Sequence, residues 1–222
     1  MKHYLKLYLI LTVFLWGYPA LYAEGSPKDA LEKMTELVQS HIVPDSKKRD
    51  VAAKDPSRFQ TYRQQNEKFH SEISKYMDFE LLAELSMPKK WQEKYWKNER
   101  SKKEFVDILK QLVEEIVYPR GKDFFDEVNL KYKKEVPLKE KNRVSLTCTA
   151  AIKGKEGKSV NVEYHLIQKG DTWKIYDINL EGDWWTESFK GQFNHVITTK
   201  SYDDLVSLMQ KKLERVKKGT AF

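Results

Sequence analysis

Ser159-Val-Asn-Val-Glu-Tyr-His-Leu-Ile-Gln168, Lys169-Gly-Asp171 and Thr172-Trp-Lys-Ile-Tyr-Asp-Ile-Asn-Leu180 together form the stretch whose reading decides the fold. In its first part Val160, Val162, Tyr164 and Leu166 alternate with Asn161, Glu163 and His165, the period of two of a half-buried strand. Gln168-Lys-Gly-Asp171 supplies a tight turn, with Gly170 where positive φ is needed. Trp173 to Leu180 is rich in β-formers again, so the two runs read as an antiparallel hairpin. Gly182 breaks the pattern, after which Trp185, Phe189, Phe193, Val196 and Ile197 recur at helical spacing.

Working outward, Val128 to Val136 and Val144 to Ile152 also alternate, and Lys153-Gly-Lys-Glu-Gly-Lys158 turns the second of them into the hairpin. Earlier segments are helical. Ser26-Pro27 opens a helix with the stripe Ala30, Leu31, Met34, Leu37, Val38 and Ile42, since proline suits the first helical position. Pro44 to Pro56 is a charged connector, and a second helix carries Phe59, Tyr62, Asn66, Phe69, Ile73, Tyr76 and Met77. Ser101-Lys-Lys-Glu104 reads as a capping box opening a helix with Phe105, Ile108, Leu109, Leu112, Val113, Ile116 and Val117, which ends near Tyr118-Pro119. Ser201-Tyr-Asp-Asp204 caps a last helix with Leu205, Leu208, Met209, Leu213 and Val216. N-terminal helices, a four-stranded or slightly larger antiparallel twisted sheet and C-terminal helices make an α+β fold, with 101–118 and 184–198 as the expected covers of the sheet.

At 222 residues the chain is one domain's worth, able to bury roughly 70% of its unfolded surface. Residues 1–23 stand apart: a basic start with Lys2 and Lys6, an apolar run from Leu5 to Trp16, and Ala23 as the small residue before a cut. This is the pattern of a cleaved secretory signal peptide, leaving 24–222 as a single domain. The run is short for the ~20 residues of a bilayer span, which argues against an uncleaved anchor. Loss of Lys2 and Lys6 takes the formal charge from +7 to +5. Nucleic acid is a poor partner for an exported protein; a spread of lysines suits an acidic membrane surface or acidic docking protein, or simply a solvated face.

Chemistry-bearing patterns are sparse. There is no HExxH, no GxSxG, no phosphate-cradling loop and no dinucleotide fingerprint, so neither a metal site nor a catalytic site is expected. Cys148, the single cysteine, falls at an inward-facing position and reads as core packing. Glu114 and Glu115 point about 100° apart on a helix and make no cooperating pair. Alternation puts Asp177 on the face of Trp173 and Ile175, where a carboxylate needs partners, either in the following turn or at Lys190.

Trp173-Lys-Ile-Tyr-Asp177, Glu181-Gly182 and Phe189-Lys190-x-Gln192-Phe193 resemble the C-terminal signature of the MlaC family, the periplasmic phospholipid-binding proteins of toluene-tolerance ABC transport systems. This chain departs from that pattern at Asp183-Trp184, where the family usually has Val-Ser, and at Phe189-Lys190, where it has Tyr-Arg. The resemblance implies an apolar cavity between sheet and helices that shelters phospholipid acyl chains as cargo, with no cofactor and no catalysis. It further implies a periplasmic monomer exchanging lipid between an inner-membrane Mla-type ABC transporter complex and an outer-membrane lipoprotein and porin complex. Each methylene kept from water is worth about 0.8 kcal/mol, so two chains of ~14 methylenes carry roughly 20 kcal/mol, enough to forbid free aqueous transit.

The expected wall is drawn from the sheet face and the central helix: Leu109, Leu112, Val113, Ile116, Tyr118, Leu146, Val160, Val162, Tyr164, Ile175 and Phe193. Three other readings stay open at the level of sequence. One is a carrier of another apolar ligand such as a hopanoid. Another is a periplasmic enzyme acting through Asp177. The third is an adaptor with a dry core and an exposed Trp184-Trp185 patch.

Overall fold

The computed structural model describes residues 25–40, 55–119, 127–154 and 156–219. The expected signal peptide, Ile42 and most of the charged connector lie outside them.

Helix α1 (Pro27–Ser40) starts where Ser26 and Asp29 satisfy each other: the Ser26 backbone N–H donates to Asp29 Oδ2 at 2.6 Å, and the Asp29 N–H to Ser26 Oγ at 3.1 Å. Its stripe buries Leu31, Met34 and Val38. Asp55 caps α2 (Pro56–Ser74) and Asp78 caps α3 (Phe79–Ser86). The short α4 (Lys89–Tyr95) follows Pro88.

The next helix, α5 (Glu99–Leu112), corrects the capping-box reading. Asn98 is the cap, its side-chain oxygen accepting the Ser101 N–H at 2.9 Å, so the helix begins two residues before Ser101. Past Leu112 the helix widens into a π-helical turn, Val113–Val117, before resuming at Tyr118. Near the C-terminus come α6 (Trp185–Thr199) and α7 (Tyr202–Lys217), the latter capped by Ser201 as its sequence predicts.

The sheet is a five-stranded antiparallel meander in the order β1-β2-β3-β4-β5: β1 Val128–Pro137, β2 Arg143–Ile152, β3 Ser159–Lys169, β4 Thr172–Leu180 and β5 Asp183–Trp184. Gly170, at φ 60°, closes the β3–β4 hairpin. The short fifth strand is the small enlargement beyond four that the sequence reading allowed. Glu181 (φ 54°) and Gly182 (φ 103°) both take left-handed φ, so the chain makes a two-residue hairpin turn and pairs Asp183 with Leu180 before it leaves the sheet.

Leu146, Cys148, Ala150, Val162, Tyr164, Leu166 and Ile175 turn one face of the sheet into a buried wall. Helices α1, α3 and α6 lie against it, and α5 and α7 pack outside them, α5 on α3 and both on each other. The segment 101–118 is therefore not a simple cover. Lys102 Nζ fastens the start of α5 to α3 through Glu80 and Glu84, each at 2.6 Å. Lys217 Nζ donates to Gln111 Oε1 at 2.5 Å and joins α7 to α5. The π-helical turn beyond them shares a pocket lining with β3 and β4.

Candidate functional site

Between that turn and the sheet lies an apolar hollow of about 550 Å³. Met34 and Val38 of α1, Ile73 of α2 and Met77 just beyond it form one side, and Ile116, Val117 and Tyr118 another. Val162 and Tyr164 of β3 and Ile178 and Leu180 of β4 make the floor, with Trp185, Ser188 and Phe189 of α6 opposite. No lysine, arginine, aspartate or glutamate is part of this lining. Leu180, 42% exposed, marks the rim. A site of this size and polarity is in the range of small-molecule pockets, about 300–1,000 Å³.

A β-bulge decides which side chains of β4 reach it. Leu166 pairs with Ile175 and His165 with Asp177, leaving Tyr176 as the extra residue. One inserted residue reverses the facing of everything after it. Asp177 thereby moves off the face of Ile175, correcting the alternation read from sequence, and Ile178 and Leu180 take positions opposite Tyr164 and Val162. Segment Tyr76–Asp78 seals the edge at this point: Ile175 N–H donates to Tyr76 O and Asp78 N–H to Ile175 O, both at 2.7 Å.

The π-helical turn is held from behind by α2. Arg63 clasps Glu115 through Nη2 at 2.6 Å and Nε at 3.2 Å, a forked guanidinium–carboxylate pair. Ser74 Oγ donates to Glu114 Oε1 at 2.6 Å and lies 3.1 Å from the Tyr118 hydroxyl. Adjacent Glu114 and Glu115 thus take separate partners. Burial pushes the Tyr118 and Tyr164 hydroxyls well above their ordinary range, so both stay protonated.

A second, smaller hollow of about 300 Å³ sits on the far side of the same turn, between α5, α6 and α7. Of the expected wall, Ile116, Tyr118, Val162 and Tyr164 border the larger hollow. Leu109, Leu112, Val113, Phe193 and again Ile116 border the smaller. Leu146 and Ile175 are buried in the core, and Val160 packs against it. Met34, Val38, Ile178, Leu180, Trp185 and Phe189 were not anticipated. The apolar stripe of α1 signalled the first two as buried, but nothing local announces the bulge that brings in Ile178 and Leu180.

Asp177 turns out to organise structure. It is 5% exposed, its Oδ1 accepts the N–H groups of Ile178 (2.9 Å) and Thr186 (3.1 Å), and its Oδ2 accepts the Thr186 hydroxyl. Helix α6 has no side-chain cap of its own, so the sheet supplies one. Lys190, the other partner considered, pairs with Glu187 at 3.3 Å. Burial raises the Asp177 carboxyl above its ordinary range despite these donors. On the same face His165 packs on Trp184 at 4.1 Å between ring centroids, while Ser145 Oγ donates to Glu163. Trp184 and Trp185 therefore serve opposite sides and form no common patch. Cys148 is fully buried, its thiol pushed up to about 12 by desolvation. Among the described residues no cluster of His, Cys, Asp or Glu could hold a metal ion, and no helix is long and apolar enough to cross a membrane.

The MlaC protein family matches residues 45–211, which spans the second helix, the whole sheet and most of the last helix. The chain belongs to the MlaC family. Among solved structures it is similar to a phospholipid-binding protein from Ralstonia solanacearum, described in complex with a phospholipid. The likeness covers 88% of this chain and 98% of that one, with a TM-score of 0.61 at 19% identity, and so speaks for a shared fold. No curated protein matches the chain. Within the MlaC pattern, the departure at Asp183-Trp184 coincides with β5 and the His165 contact, and that at Phe189-Lys190 puts Phe189 into the wall of both hollows.

Proposed function

We propose that this MlaC-family chain is a non-enzymatic phospholipid carrier that takes acyl chains into the hollow between the π-helical turn and the sheet. The observation that carries the reading is the lining: aliphatic and aromatic apart from Ser188, drawn from six separate elements, uncharged, and open at Leu180. Acyl methylenes gain about 0.8 kcal/mol each on leaving water, with no polar constellation required. The phosphate and its substituent stay at the mouth in solvent, so head-group selectivity is loose. No cofactor takes part; the cargo is the ligand. Family membership and the Ralstonia neighbour's bound phospholipid support diacyl lipid over a hopanoid or a dry-cored adaptor. The carrier works as a monomer in the periplasm, exported by the segment 1–23. It exchanges lipid between an inner-membrane Mla-type ABC transporter complex and an outer-membrane lipoprotein and porin complex.

Native mass spectrometry of gently purified protein tests this, with Val162→Trp as the comparison. Wild type is expected to carry a diacyl lipid mass. The variant is expected to fold and to lose most of that lipid, because an indole at position 162 fills the floor of the hollow. Equal lipid content in the two proteins would reject this wall, and a sterol-like mass would redirect the reading to another apolar cargo.

A further inference from the structure

Ile116, Val117 and Phe189 border both hollows, so the space on the sheet side and the space among α5, α6 and α7 are separated by single side chains. Phe189 is braced along its own helix by Trp185 and Phe193, but all three side chains border open space on two sides and are held less firmly than core residues touched all round. The backbone beneath them is a π-helical turn, a form that recurs at functional sites. Its polar residues are tied to α2 through Glu114, Glu115 and Tyr118, which leaves the apolar ones facing the two voids. Leu208, 43% exposed, lies at the outer margin of the smaller hollow, as Leu180 does at the larger.

We infer that Ile116, Val117 and Phe189 form a yielding partition, and that the smaller hollow is a distal berth receiving the ends of long acyl chains that enter from the sheet side. The occupant is argued from continuity: the berth shares three wall residues with the proposed lipid site and is itself aliphatic and aromatic apart from Gln192 and Lys212. This rests on the carrier reading above and adds to it a dependence on chain length. A chain that outgrows the larger hollow gains affinity only where the berth accepts it, by about fourfold per methylene.

Delipidated protein is offered dioctanoyl- and dioleoyl-phosphatidylcholine, with occupancy read by native mass spectrometry and competition. The variants Leu208→Trp and Gln192→Trp plug the berth from two exposed rim positions and are checked for wild-type thermal unfolding. Both are expected to keep wild-type dioctanoyl binding and to lose dioleoyl binding by about tenfold or more, the value of two excluded methylenes. If the variants bind both probes as wild type does, or lose both alike, the berth is refuted while the carrier reading stands. If wild type takes up neither probe, the carrier reading falls and the berth falls with it.

Discussion

Asp177 shows how one carboxylate can hold two elements in register. Its three donors come from the strand that bears it and from the first turn of α6, so removing it uncaps the helix and leaves buried groups unpaired. Asp177→Ala is expected to cost about 2–4 kcal/mol in urea unfolding and Asp177→Asn about half as much. A change within ~0.5 kcal/mol for the alanine variant would contradict the capping role. His165, across the pair from Asp177, has a proton affinity depressed by burial, offset in part by Glu163 and Asp177. A lowered folded-state pKa means the unfolded chain binds the proton first. The stability this group contributes is complete above its ordinary value of 6.5 and drains away as pH falls from there through the lower folded value. Wild type should lose stability relative to His165→Gln on acidification below neutrality, at no more than about 1.4 kcal/mol per pH unit. Parallel melting curves for the two across that window would assign the acid sensitivity elsewhere.

At the scale of elements, the π-helical turn and the β4 bulge do equivalent work: each breaks a regular period so that a different set of side chains faces the hollow. The turn depends on its tether to α2. Arg63 and Glu115 have side chains only 26% and 14% exposed, so cutting the pair takes the forked guanidinium away from a mostly buried carboxylate. Arg63→Met should destabilise by about 1–3 kcal/mol and speed amide exchange over 113–118, while adding Glu115→Met should restore at least half the loss. Failure of the double variant to recover would show the pair acting separately. These breaks were illegible in the sequence. The stripe through Phe105, Ile108, Leu109, Leu112 and Val113 predicts a helix correctly, but a π-turn has no local signature. Alternation from Trp173 and Ile175 likewise carries no mark of the residue that is looped out.

Across the whole molecule, a core that packs well around Leu31, Leu82, Phe105 and Leu166 coexists with voids beside the sheet. Dense interiors resist added volume, typically by about 1–3 kcal/mol. Val162→Trp thus discriminates at this scale too. With an empty hollow beside it, the indole should be accommodated in delipidated protein at under ~1 kcal/mol, while the stabilisation that added lipid gives wild type disappears. A loss of several kcal/mol without lipid would indicate a floor already full.

Period-two and helical patterning together with turn residues such as Gly170 were enough to place the meander, the long helices on either side of it and the buried Cys148, because each depends on neighbours in the chain; they did not place the short helices α3 and α4. Ser159 to Phe193 likewise carried the family resemblance. Tertiary structure alone decided where packing stops: which face Ile178 and Leu180 take, that Trp185 and Phe189 meet Ile116 across a space, and that Asp177 caps a helix it does not belong to. Those outcomes arise from contacts between residues far apart in sequence, and a void is a property of surfaces that fail to meet, which no single stretch can encode.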